Sequence, residues 1–291
     1  MRLRIQLRAT TEYQYRRHVR SKPTLLILHS KLQMSTFLFR DLVFGPVQSR
    51  RLGKSLGINL LPIDSKYCNF DCIYCECGRN TRQLDNAALP SRQEIYVALE
   101  RKLSDMHQVG TFPDAITFAG NGEPTIHPAF AEIIDDTISL RNRYAPQSKI
   151  SVLSNATMLH RKDIVETLKM TDMPILKLDS AIDATIELMN QPAKKICATK
   201  LIEQLQSFGN KCIVQTMFAR GTYRNQTVDN TTSEELDAWE RAILAIRPRQ
   251  VMIYAIARAT PVETLSKVSG ETLKKIAARI EKHSIAVNVS E

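Results

Sequence analysis

The chain has no apolar run near the roughly 20 residues that a membrane-spanning helix needs. Its longest early run, Leu25–Leu28, is too short for the core of a signal peptide. It also lacks dispersed cysteines: four of the six fall within residues 68–77, and only Cys197 and Cys212 stand apart. A disulfide framework spreads its cysteines to staple loops, so this distribution points to metal or redox chemistry with reduced thiols, in a cytoplasm-like compartment. With 43% hydrophobic and 24% charged residues, the 291-residue chain is not disordered, collagen-like or a disulfide-stapled miniprotein.

Surplus acid is missing too, and the formal charge is +10. Most of that charge is local. Residues 1–33 hold eight Lys/Arg against one acid, a net +7, and the rest of the chain carries +3. The basicity therefore says little about what the folded body binds. The amphipathic period of a transit peptide is weak in this segment. Residues 1–35 read as a disordered basic extension, with Met34 as a candidate true start, and residues 36–291 as the folded body.

From residue 55 onward, short apolar or β-branched runs alternate with helical periods. The runs are Ser55–Leu61, Ile116–Ala119, Ile150–Leu153, Ile175–Leu178, Cys212–Phe218 and Val251–Ile256. Nearly continuous apolar runs suit parallel strands buried on both faces. Ser91–Glu94 and Thr232–Glu235 read as capping boxes. The helices they open turn Ile95, Leu99 and Met106, or Leu236, Trp239 and Ile243, to one face. Pro128–Arg143 and Gly270–His283 carry similar stripes. About six βα units result, either curled into an open or closed barrel or wound on both faces of a sheet. In each case chemistry gathers at the carboxyl ends of the strands.

Cys68-Asn69-Phe70-Asp71-Cys72-Ile73-Tyr74-Cys75 has the spacing C-x3-C-x2-C and follows the first of these strands. Thiolates are soft ligands for iron–sulfur clusters and zinc, but zinc sites use paired C-x2-C knuckles and only one pair is present. Three cysteines on a tight loop can hold three irons of a four-iron cluster and leave the fourth open to a non-protein ligand. Gly53-Lys54-Ser55 is not a phosphate-binding loop, since position 48 is Gln48 rather than Gly and a strand follows.

This cysteine spacing, with the aromatic Tyr74 before the last Cys, resembles the signature of the radical S-adenosylmethionine (SAM) superfamily. The resemblance implies a partial (βα)6 TIM-like barrel. It implies a [4Fe-4S] cluster on Cys68, Cys72 and Cys75, whose open iron chelates SAM and cleaves it reductively. The product is a 5′-deoxyadenosyl radical that abstracts hydrogen from a substrate. Cys77 departs from the three-ligand pattern and reads as a neighbour. Gly120-Asn121-Gly122-Glu123 is similar to the family's motif that receives the SAM amino group, with Asn121 in its middle. Ser154 and Asn155 stand where relatives hold the SAM ribose, although a turn or helix cap accounts for them equally.

Lys177 and Asp179 alternate toward the barrel interior, where a charged pair is costly unless matched or used. With Gln215 they are the candidate catalytic residues; Met217, Tyr254 and Arg258 are further candidates. Residues 219–231, with Arg220 and Arg224, read as a polar loop: a substrate lid or a solvated connection. Phe44-Gly45-Pro46-Val47 and Ser49-Arg50-Arg51-Leu52-Gly53 resemble stand-alone Fe–S oxidoreductases related to wyosine-type tRNA-modifying and molybdenum-cofactor-synthesis enzymes. The absence of a cysteine after residue 256 disfavours an auxiliary cluster domain. The implied partners are an electron donor such as flavodoxin or ferredoxin, and no membrane. The substrate is open between a tRNA nucleoside and a partner protein activated as a glycyl radical. A non-catalytic zinc or Fe–S module is the remaining alternative.

Overall fold

Two strands that the periodicity did not reveal flank the expected six. The computed structural model describes residues 37–80 and 88–291, all within one compact unit. The expected basic extension lies outside the described residues. Val43–Ser49 (β1) pairs antiparallel with Gly53–Ile58 (β2), and the register shifts between Phe44 and Val47, around Pro46. A proline cannot donate to a ladder, which suits this outermost strand. Ala115–Phe118 (β3), Lys149–Ser154 (β4), Met173–Lys177 (β5), Ile213–Tyr223 (β6) and Gln250–Ala255 (β8) continue the sheet in parallel. Ala286–Ser290 (β10) closes the order β1-β2-β3-β4-β5-β6-β8-β10. The sheet is curled into a half-barrel.

Among the described residues seven α-helices lie between strands: Arg92–Gln108 (α1), Phe130–Tyr144 (α2), Lys162–Met170 (α3), Asp183–Asn190 (α4), Ala198–Gln206 (α5), Ser233–Ile246 (α6) and Gly270–Glu281 (α7). Their apolar stripes meet the outward face of the sheet. Leu56 and Ile58 of β2, Ile116 and Phe118 of β3, Trp239 of α6 and Ile276 of α7 belong to one buried core. Ser91 caps α1 with the full reciprocal box. At α6 only half the expected box forms. Thr232 accepts the Glu235 N–H, but the Glu235 carboxylate turns inward to take hydroxyl hydrogen bonds from Ser180 and Thr185.

The expected loop at 219–231 is instead paired backbone. The long end of β6 forms a hairpin with Gln226–Asp229 (β7) and pairs on its other side with Leu265–Lys267 (β9). Arg224 and Asn225 both have positive φ, 50° and 61°, as a two-residue hairpin turn requires. Thr222, Tyr223, Thr227 and Val228 suit the strands on either side.

Side chains alternate along the parallel strands, so every second residue faces the concave interior. Ile175, Ile213 and Met252 form one apolar layer there, closed by Leu52, Leu153 and Met173. Two residues further along lie Lys177, Gln215 and Tyr254, and beyond them Asp179 and Met217. The structure thus stacks a polar layer on an apolar plug. Among the described residues, no helix is long and apolar enough to cross a membrane.

Candidate active site

The cysteine loop is held at the carboxyl ends of β2 and β3. Tyr67 N donates to Asn121 O at 2.8 Å, and Glu123 N donates to Tyr67 O at 3.3 Å. A Cβ on Gly122 (φ 145°) would lie 1.9 Å from the Tyr67 carbonyl oxygen, and one on Gly120 would lie 2.3 Å from Asn59 Oδ1. These glycines let the end of β3 approach the cysteine loop and Asn59.

Cys68 and Cys72 are buried, Cys75 and Cys77 are half-buried, and all four are free thiols. Donors point at the sulfurs. Phe70 N–H and Asn155 Nδ2 lie 3.4 and 3.6 Å from Cys68 Sγ, and Asn190 Nδ2 lies 3.5 Å from Cys72 Sγ. The buried Lys66 ammonium donates to Asp71 at 3.1 Å and to Gly78 O at 3.0 Å. Burial opposes its charge, yet Cys75, Cys68, Cys72 and Asp71 hold its pKa above the usual lysine value.

Burial pushes the Cys68 and Cys72 thiols up. A hydrogen bond from Cys77 brings Cys75 down to about 6; that bond and burial raise Cys77. The Cys77 thiol also lies 3.4 Å from Gly120 O.

This donor set fits an iron–sulfur cluster. A four-iron cube takes each thiolate on a separate iron. Hydrogen bonds to the sulfurs and a nearby cation are what tune such a centre.

The expected cofactor residues split into two groups. The Glu123 and Asn121 side chains both hydrogen-bond within the protein. Glu123 is buried, and its carboxylate accepts from Thr125 N, Thr125 Oγ1, Ser154 Oγ and Asn155 N. Burial raises its pKa. Asn121 is fully buried. It accepts from Phe39 N and donates to Phe39 O and Pro62 O, each at 2.8 Å. Ser154 ends β4 and Asn155 follows it, with Asn155 Nδ2 beside Cys68 and also donating to Asn69 at 2.7 Å.

Lys177, Asp179 and Tyr74 come together in a second cluster. Tyr74 Oη donates to Asp179. Lys177 Nζ lies 3.2 Å from Tyr74 Oη, 3.3 Å from Tyr254 Oη and 3.5 Å from Asp179 Oδ1. Met217 N donates to Asp179 Oδ1 at 2.9 Å. Burial opposes the Lys177 charge, but Asp179, Tyr254 and Cys72 raise its pKa. Burial and Asp179 push the Tyr74 phenol up. Gln215 sits in the same inward layer, buried, with no side-chain hydrogen bond to the described residues.

Three further residues escaped the sequence reading. Asn190, the last residue of α4, bridges Cys72, Tyr74 (2.9 Å) and Asp179 (2.7 Å). No local pattern marks it. Lys66 could have been suspected from its place two residues before Cys68. Arg51 stacks on Tyr254. Arg258 pairs with Glu76 of the cysteine loop at 2.8 Å. The β6–β7 hairpin forms one wall of a cleft of about 460 Å³, also lined by Glu187, Leu188 and Gln191 of the α4 end.

Solved structures share this architecture. A radical SAM methyltransferase from Sphaerobacter thermophilus superposes with a TM-score of 0.61 over 81% of this chain and 65% of its own, at 12% identity. Streptococcus suis SuiB bound to S-adenosylmethionine superposes at 0.56 over 80% of this chain and 49% of its own, at 16% identity. The fold is that of the radical SAM enzymes. No family model matches the chain. By sequence, a protein named GTPase Obg from Brachyspira hyodysenteriae is 28% identical over 249 residues, 85% of this chain and 35% of that protein. A UPF0026 protein of Methanocaldococcus jannaschii is 30% identical over 168 residues, 57% of this chain and 49% of its own. The chain spans half or less of each of these two relatives. On the radical SAM fold, the loop carrying Cys68, Cys72 and Cys75 follows the first parallel strand, β2.

Proposed function

We propose that this protein is a radical SAM enzyme that binds one [4Fe-4S] cluster through Cys68, Cys72 and Cys75. One observation carries the reading: three free thiols on one loop at the strand ends, with N–H donors at the sulfurs of Cys68 and Cys72 and the buried Lys66 ammonium, bonded to Asp71 and Gly78 O, near enough for the thiols to act on its charge. The cluster and SAM together would supply a 5′-deoxyadenosyl radical for hydrogen abstraction. The chain's own residues do the rest. Lys66 sets positive charge beside the thiolates. Asn155 and Asn190 orient Cys68 and Cys72. The apolar layer of Ile175, Ile213 and Met252 closes the interior to water, which protects a reactive species.

An electron donor such as flavodoxin or ferredoxin supplies the reductant. The substrate is drawn from two classes, a tRNA nucleoside or a glycyl residue of a partner protein. The small charge of the body gives the first little electrostatic support.

Anaerobic reconstitution tests the reading. About four iron atoms per chain, and 5′-deoxyadenosine on adding SAM and dithionite, are expected. Zinc in the oxygen-protected protein, or iron without SAM cleavage, overturns it.

A further inference from the structure

The turn between β1 and β2 spans from the first edge of the sheet to the last. Arg50 Nη1 donates to the Glu291 carbonyl at 2.8 Å, beyond β10. Ser49 Oγ accepts from Arg51 N and Leu52 N at 3.3 and 3.2 Å, which fixes the turn. Leu52 joins the apolar plug. The Arg51 guanidinium lies 4.9 Å above the Tyr254 ring, in the polar layer of the interior.

That guanidinium has no ion-pair partner among the described residues. Its Nη1 is buried without a hydrogen-bond partner, and no carboxylate pairs with it among the described residues. The groups around it are accounted for. Asp179 is spent on Tyr74, Lys177, Asn190 and Met217 N. Tyr254 is bonded to Lys177, Gln215 is neutral, and Glu76 is paired with Arg258. Arg50 adds a second cation on the same turn, and burial pulls the Arg51 pKa down. Two cations, Arg51 and Lys177, contact the Tyr254 ring, and one carboxylate answers them. A buried guanidinium nitrogen without a partner is unfavourable, and a guanidinium fork matches the two oxygens of a carboxylate or phosphate.

We propose that Arg51, beside Tyr254 in the polar layer, binds an oxyanion group of the substrate inside the half-barrel. The inference rests on the radical SAM reading and deepens it: the substrate is a carboxylate- or phosphate-bearing molecule. Its anionic group docks at Arg51, and the rest of it extends toward the cysteine loop.

The test uses the full-length, anaerobically reconstituted protein. Thermal unfolding is followed in inorganic phosphate, in acetate and in chloride at equal ionic strength. A rise of about 3–6 °C is expected when the anion is at ten times its dissociation constant. A shift with phosphate alone identifies a phosphate group, and one with acetate alone a carboxylate. Arg51→Met abolishes the shift and is at least as stable as the wild type in chloride, because it removes an unpaired buried charge. Arg51→Lys keeps part of the shift and remains the decisive variant if Arg51→Met does not fold.

Four results overturn the proposal. They are no shift beyond chloride in the wild type, an undiminished shift in Arg51→Met, an Arg51→Met protein that folds but is less stable than wild type in chloride, and loss of the shift at saturating SAM. The last would assign the site to the SAM carboxylate. Iron content and 5′-deoxyadenosine formation by the wild type are measured separately. A protein that cleaves SAM without an anion shift loses only this inference, and one that holds zinc loses the reading beneath it and with it the assignment of the anion as a substrate group.

Discussion

The Glu123 carboxylate accepts the backbone N–H of Asn155 at 2.6 Å and so ties the end of β3 to the end of β4. Its other oxygen collects Ser154 Oγ at 2.8 Å and two donors of Thr125. Glu123→Ala leaves these buried donors without an acceptor, at about 1–3 kcal/mol for each that water does not satisfy. Glu123→Gln keeps one oxygen and loses less. Urea denaturation of both variants checks the order, and equal loss would contradict it.

Gly122 admits no side chain, because a Cβ there would meet the Tyr67 carbonyl. Gly122→Ala should therefore separate the end of β3 from the cysteine loop. Reconstituted protein is expected to show a lower melting temperature and reduced iron content. Full iron loading with unchanged stability would show that the contact does not position the thiols.

The four thiols are expected to divide three against one. Cys68→Ala, Cys72→Ala and Cys75→Ala each lose the visible absorption and most of the iron after reconstitution. Cys77→Ala retains both. Iron loss in the Cys77 variant equal to that in the others would make it a fourth ligand.

Glu240 should dominate one part of the acid limb of stability. Burial alone would raise its pKa, but hydrogen bonds from His283, Lys282 and Arg279 lower it from 4.5 to about 2. The unfolded chain then binds a proton more tightly than the folded one. The stabilisation is full above about pH 4.5 and is lost as pH falls toward 2. Glu240→Gln should flatten the stability profile across that window, measured by urea midpoints from pH 2 to pH 6. A profile parallel to wild type would refute the assignment.

Six parallel strands, four of the helices and the cysteine loop were legible in the sequence, because each is written locally. Continuous apolar runs mark strands covered on both faces, 3.6-residue stripes mark helices, and C-x3-C-x2-C needs no distant partner to be recognised. The hairpin at Arg224-Asn225 was misread as a loop, since the end of β6 that forms it is polar and its partners β7 and β9 are only four and three residues long. The capping box at Thr232 was read correctly for its hydroxyl. Its glutamate went to Ser180 and Thr185, partners some 50 residues away in the chain.

By itself the sequence determined the order of elements, the inward alternation of Lys177 and Asp179, and which thiols share a loop. These follow from periodicity and from residues a few positions apart. Only the tertiary structure decided that Asn190 meets Cys72, that Glu123 accepts from the Asn155 backbone, and that Arg51 stands over Tyr254 with no ion-pair partner among the described residues. Hydrogen bonds and charge balance depend on distances between residues that chain order leaves unset, and curling the sheet fixes those distances.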